Sequence, residues 1–205
     1  MIFVSFQYQP TIMKKLLLFL CVALLSACQS KKEESTNAEG LKKMREEWLK
    51  NRLDFFQAAK PQYFSAKTIN GQPFNSKDYQ GKNLLIFIYS KTFLKKDPNA
   101  SYNMVDDFNG IYTHYKDNVG VIGILEGLVE TDKELQQIFH DASFPFEQID
   151  NTQSPSKPEQ LKYNIYCTPA KILIDSNGKV IHSSCGGATD EELIRKLDSI
   201  KGAQK

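Results

Sequence analysis

With 205 residues and a formal net charge of +2, the chain has room for one ordinary domain plus appendages, and its charge is too even for a nucleic-acid footprint. An apolar share of 41%, with 13 Phe and 9 Tyr, is enough for a packed core. No stretch repeats at a fixed period, and His114, His140 and His182 lack metal-ligand spacing, so no metal and no other cofactor is expected.

Residues 13–30, MKKLLLFLCVALLSACQS, open with lysines, continue as a short apolar run and end in small residues before Cys28. This is the pattern of a secretory signal peptide over 1–27, too short and wrongly flanked for a stable membrane span. Residues 1–12 precede the pattern, which makes Met13 an alternative initiator and 1–12 an overcalled start. LSAC resembles the bacterial lipobox, which implies lipidation at Cys28; an ordinary cleaved signal or a membrane anchor is the alternative. Removal of 1–27 takes Lys14 and Lys15 and no acid, leaving 24 basic residues against 24 acidic. Cys21 leaves with the signal and Cys28 carries lipid, so Cys167 and Cys185 remain in an oxidising compartment. Residues 28–40 are polar and aperiodic, a flexible lipidated tether. Gln29 resembles outer-membrane sorting, and KKEE at 31–34 resembles a surface-export signal, with a solvated tether as the plainer reading. The expected location is therefore a lipid-anchored membrane protein on the periplasmic side of the outer membrane, with the cell surface as an alternative.

Leu41, Met44, Trp48, Leu49, Leu53 and Phe56 recur at helical spacing, which predicts an amphipathic helix over 41–60 with Trp48 as a packing residue. Over 62–82, two extended pieces flank Asn70-Gly71, a hairpin signal. NLLIFIY at 83–89 is an apolar run bounded by polar residues, hence a strand buried on both faces. The loop that follows, SKTFLKKDP at 90–98, carries Lys91, Lys95 and Lys96, expected to be solvated. A helix is expected over 99–115, a strand over 119–127, and a helix after Thr131 with Glu134 at the capping-box position. His140 lies near that helix's C-terminus, where a partial charge explains it without catalysis. AKILID and KVIHSS, joined by DSNG, read as an antiparallel pair with Ile174 opposite Lys179, and Thr189 as the cap of the last helix with Glu192 at its capping-box position. In that register Cys167 and Cys185 fall one step from directly opposite. The order β-α-β-α-β-β-α is that of an α/β protein.

This order, with TPAKILIDSNGKVIHSSCGGATDEEL at 168–193 and NGQPFNSKDYQGKNLLIFIYS at 70–90, resembles the thioredoxin-like thiol–disulfide oxidoreductases of the TlpA/ResA type, in the thioredoxin and peroxiredoxin superfamily. The resemblance covers about 61–200 and implies a thioredoxin-like fold: a central mixed sheet flanked by helices, here over 61–205 with an extra N-terminal helix. It implies a cis bond at Pro169 and a substrate- or peptide-binding face around Thr168 and Pro169. It also implies partners among envelope proteins or peptides bearing thiols or disulfides. In the family a Cys-x-x-Cys follows the central strand at a helix N-terminus, which lowers the first thiol's pKa. Here Thr92 and Lys95 stand at those two positions, and a peroxiredoxin-type cysteine would fall near Asp97-Pro98. The redox loop is thus degenerate, and Cys167 and Cys185 are the candidate catalytic residues. Three states are open for them: a structural disulfide, a displaced redox-active pair, or two separate thiols. Three functions follow: a thiol–disulfide oxidoreductase, a non-catalytic thioredoxin-fold binding module, or, least favoured, a peroxidase.

Overall fold

A computed structural model of the chain describes residues 38–47, 50, 52–94 and 101–203. The expected signal peptide, Cys28, Trp48, Lys95, Lys96 and Asp97-Pro98 lie outside the described residues. The chain divides into two units, Met1–Asn51 and Arg52–Lys205.

In the first unit a helix, α1, occupies 38–47, and residue 50 is also helical. It begins inside the stretch expected to be tether. The helix expected to run to residue 60 is not continued in the second unit, where Arg52 is already non-helical. Instead, Leu53 bridges to Tyr163, residues 56–58 turn, and Ala58 takes a positive φ of 70°. The physical reason is that Leu53 and Phe55 are both buried, at 3% and 0% exposure, whereas Phe56 is 54% exposed. That alternation suits an extended segment lying on a core rather than a helical stripe.

The second unit opens with a hairpin, β1 (Ser65–Lys67) and β2 (Pro73–Asn75), turned at Gly71 with φ of 77°. Glycine meets that left-handed requirement without steric cost. The main sheet contains β3 (Leu84–Ser90), β4 (Gly120–Leu128), β5 (Glu147–Gln153), β6 (Ala170–Ile174) and β7 (Val180–Cys185), in the spatial order β5-β4-β3-β6-β7. β3, β4 and β5 run parallel, while β6 and β7 are antiparallel to their neighbours. The helices are α2 (Met104–Tyr115), α3 (Asp132–Ala142) and α4 (Glu191–Gly202). This is a mixed sheet flanked by helices.

β3 explains the two core layers. Leu85, Phe87 and Tyr89 point into one, with Phe108 of α2, Leu135 of α3 and Leu193 of α4. Leu84, Ile86 and Ile88 point into the other, with Phe55, Phe64, Phe74 and Ile165. Phe87 stacks on Phe108 at 4.0 Å between ring centroids. Each such side chain contributes about 1.5–3 kcal/mol by leaving water.

Four boundaries differ from the sequence reading. α2 starts at Met104, where Asn103 accepts from the Asp106 N–H at 3.1 Å, so 101–103 precede the helix. β5 lies between α3 and β6, where no strand was expected. α4 is capped by Asp190, which accepts from Leu193 N–H at 3.0 Å, rather than by Thr189. Ile174 pairs with Val180, not Lys179, and a bulge between Leu173 and Ile174 shifts the register so that Ala170 faces Cys185. Thr131 accepts from Glu134 N–H at 3.1 Å at the start of α3.

Candidate functional site

The C-terminal end of β3 is where Thr92, Thr168 and Pro169 of the candidate residues lie. Its last residue, Ser90, pairs with Glu126 of β4. On the other side, β6 keeps register with β3 only to Ala170, opposite Ile88, so Thr168 and Pro169 lie beside the end of β3. The Thr168–Pro169 peptide bond is cis. The Thr168 hydroxyl donates to Glu126 Oε1. In the sheet order β3 separates β4 from β6, so this hydrogen bond passes over the end of the central strand. Burial pushes the Glu126 carboxyl up to about 7, and the charge of Glu159 pushes in the same direction.

Cys167 and Cys185 form a disulfide with Cα atoms 5.9 Å apart. Strand register does not bring them together, since the partner of Cys185 is Ala170. The chain reaches Cys167 only after leaving the sheet at Pro169. Pro169 is buried and its carbonyl accepts from Gly186 N–H at 2.9 Å, which ties the residue after Cys185 to the cis proline. Cys185 is exposed and Cys167 half-buried. Beside Cys167, Tyr166 is 76% exposed, with the Arg52 guanidinium 4.5 Å from its ring centroid.

Thr92 is exposed in a single 3-10 turn, Lys91–Phe93, directly after β3. Lys91 is not merely solvated: its Nζ lies 2.6 Å from Glu134 Oε1, which fixes the loop to the first turn of α3. Lys91 and the Glu130 N–H hold the Glu134 carboxyl below its usual range. The α2 N-terminus comes well after Thr92, at Asn103, and Tyr102 precedes it with its hydroxyl donating to Asp107 at 2.9 Å.

Glu126 and Lys171 had not been singled out from the sequence, and His182 had been considered only for metal-ligand spacing and as a neighbour of Cys185. Glu126 is the single charge in the apolar strand β4. Lys171 is the single charge inside β6, and it is 1% exposed. Its Nζ lies 2.6 Å from Asp107 Oδ2 and donates to Ala188 O at 2.8 Å. His182, 4% exposed, lies 2.7 Å from Asp190 Oδ2, which also accepts from the Ser184 hydroxyl. Burial opposes ionisation of Asp190, but Ser184, the Leu193 N–H and His182 outweigh it and hold the carboxyl below its usual range. The partners of His182 are thus Asp190 and, at 3.8 Å, Glu192. Among the described residues no cluster of His, Cys, Asp and Glu could hold a metal ion, and no helix is long and apolar enough to cross a membrane.

Neither a protein-family model nor a curated protein matches the sequence. Solved structures do match. A thiol-disulfide oxidoreductase from Bacteroides fragilis is 19% identical, with 70% of this chain and 99% of that one covered and a TM-score of 0.53. A DsbF homologue from Corynebacterium diphtheriae is 16% identical, covering 71% and 90%, with a TM-score of 0.52. A thiol:disulfide interchange protein of the thioredoxin family from Chlorobium tepidum is 15% identical, covering 71% and 97%, with a TM-score of 0.50. At such identities the likeness concerns the fold. The chain has a thioredoxin-like fold, and its neighbours in structure are thiol–disulfide oxidoreductases.

Proposed function

We propose that the chain is a cell-envelope thioredoxin-like lipoprotein of thiol–disulfide homeostasis, anchored through Cys28 on the periplasmic side of the outer membrane. Its redox loop is degenerate, with Thr92 and Lys95 at the usual cysteine positions, and exchange is carried by Cys167 and Cys185. The observation that carries this reading is the disulfide at the cis proline, with exposed Cys185 as the sulfur that an incoming group can reach.

The chemistry follows from that exposure. A partner thiolate attacks Cys185 Sγ, the Cys167–Cys185 bond breaks, and Cys167 leaves as a thiolate that takes a proton from water. A second thiolate of the partner then attacks the mixed disulfide. The partner departs as a disulfide, and the two electrons remain on the Cys167–Cys185 dithiol. Run backwards, the same steps reduce a partner disulfide. Envelope proteins or peptides that offer thiols or disulfides are the expected partners, bound against Thr168 and Pro169.

The test is insulin disulfide reduction by the full chain carrying Cys21→Ser and Cys28→Ser, so that one cysteine pair titrates. Activity abolished by Cys167→Ser is the expected result; no activity in either form rules out exchange. A second reading, a binding module without turnover, is favoured by the absence of a cysteine pair from the loop after β3. It requires a specific envelope partner whose capture survives Cys167→Ser. Fractionation of cells should place the protein with outer-membrane lipoproteins, and Cys28→Ser should release it.

A further inference from the structure

The segment after Cys185 is fixed at three consecutive residues by groups that have no part in the disulfide. Gly186 N–H donates to Pro169 O at 2.9 Å. Gly187 lies against the Tyr102 ring so closely that an added Cβ would meet ring carbons at 3.0 and 3.1 Å. Ala188 O accepts from Lys171 Nζ at 2.8 Å. The last two contacts converge, because Lys171 and Tyr102 both bond Asp107, and the Lys171 ammonium lies 5.5 Å from the Tyr102 ring centroid. Lys171 belongs to β6, two residues after Pro169, and Asp107 to the first turns of α2. One buried cation therefore joins the strand that carries the cis proline, the helix beside it and the loop that carries Cys185.

A lysine this deeply buried in a strand is costly unless its charge is fully used. Here the use is geometric. Cys185 precedes the clamped loop, and Gly186 is bonded to Pro169, two residues after Cys167, so the two sulfur carriers are linked by a contact that survives opening of the S–S bond. Building on the exchange reading, we propose that Lys171 is the positioning residue of the Cys167–Cys185 pair: it holds Gly186–Ala188 in place so that the two thiols remain adjacent in the reduced state. Two groups held in reacting geometry behave as if at high effective concentration. Closure of the pair by an external disulfide, with two electrons and two protons passing to that disulfide, which departs as two thiols, is then favoured over the mixed-disulfide state.

The experiment equilibrates the full chain, with Cys21→Ser and Cys28→Ser, against glutathione and glutathione disulfide, and reads dithiol, mixed disulfide and closed pair by mass. Lys171→Met removes the cation and keeps the stem. Gly187→Ala acts on the same loop from the Tyr102 side, where the added methyl meets ring carbons at 3.0 and 3.1 Å and presses loop and ring apart. Both are expected to lower the effective concentration of the pair roughly tenfold, with mixed glutathione disulfide accumulating. Leu197→Ala, a truncation in the same core layer, lowers stability without moving that equilibrium. An unchanged equilibrium in both clamp variants, or an equal change in Leu197→Ala, overturns the role of Lys171. A wild-type pair that does not exchange with glutathione in the folded state overturns the exchange reading and this inference with it.

Discussion

Thr168 and Glu126 meet across the end of β3: the hydroxyl beside the cis proline donates to a carboxyl from the strand two places away in the sheet. Burial raises that carboxyl from its usual 4.5 to about 7. The folded state then binds more protons than the unfolded state between those values, so stability falls as pH rises through this window and is constant above it. Glu126→Gln removes the dependence. Melting temperatures from pH 4 to 8 should show the variant gaining on the wild type between about 4.5 and 7. A constant offset across that range would show that Glu126 titrates normally.

The disulfide closes a short loop, with a sequence separation of 18. Loops of this size restrict the unfolded chain enough to contribute about 3 kcal/mol. The Cys167→Ser, Cys185→Ser double variant should lose that amount in urea unfolding and retain the far-ultraviolet circular dichroism of the wild type. Complete unfolding of the variant would mean that the clamp around Gly186–Ala188 cannot hold the site alone.

Lys171 and Asp107 form a buried pair, with side chains 2% and 17% exposed. Removing one partner of such a pair strands the other's charge and costs about 3–5 kcal/mol. Lys171→Met should reach that range, whereas Lys171→Met with Asp107→Leu should cost less than the single change. Equal losses would show that packing, not charge pairing, is what the lysine supplies.

Asp190 is the cap of α4 and also the acceptor for Ser184 and His182. Asp190→Ala should cost at least the ~1 kcal/mol of a lost cap, while Thr189→Ala, a change at an exposed surface position, should stay within about 0.5 kcal/mol. Because the carboxyl is held below its usual range, its contribution is present at neutral pH and disappears in strong acid, as pH falls through the lowered value. The two variants should therefore converge there.

The central strand, the hairpin around Gly71 and the β6–β7 pair were legible because their signals are local: an unbroken apolar run, Asn-Gly and Ser-Asn-Gly. β5 was not. Its sequence, EQIDNTQ, reads as polar, yet Gln148, Asp150, Asn151 and Thr152 are all buried. Asp150, Asn151 and Thr152 are met by the loop that follows, and Gln148 by the central strand: Asn151 exchanges hydrogen bonds with the Leu161 backbone, Lys157 bonds Asp150 and Thr152, and the Tyr89 hydroxyl donates to Gln148. Lys171 was passed over for the same reason, since its partners come from α2 and from the loop after β7. The cap of α4 was misplaced by one residue because Thr189 and Asp190 are both good caps, and the tertiary bonds of Asp190 decide between them. The register of β6 and β7 depended on a bulge that leaves no mark in SNGKVIH.

The first residues of the second unit lie along the open side of the sheet. Ala58 N–H and Ala59 O bond Val180 O and N–H, each at 2.8 Å, and Leu53 bonds Lys162 O and Asn164 N–H at 2.7 and 2.9 Å. Tension applied from the N-terminal side therefore loads these four backbone bonds before any bond between the five main strands. Under such a pull, 52–59 should detach first and bare the margin of β7, while the end of β3, with its proline and its cysteine pair, stays folded. The unit has a mechanical fuse built into its leading segment.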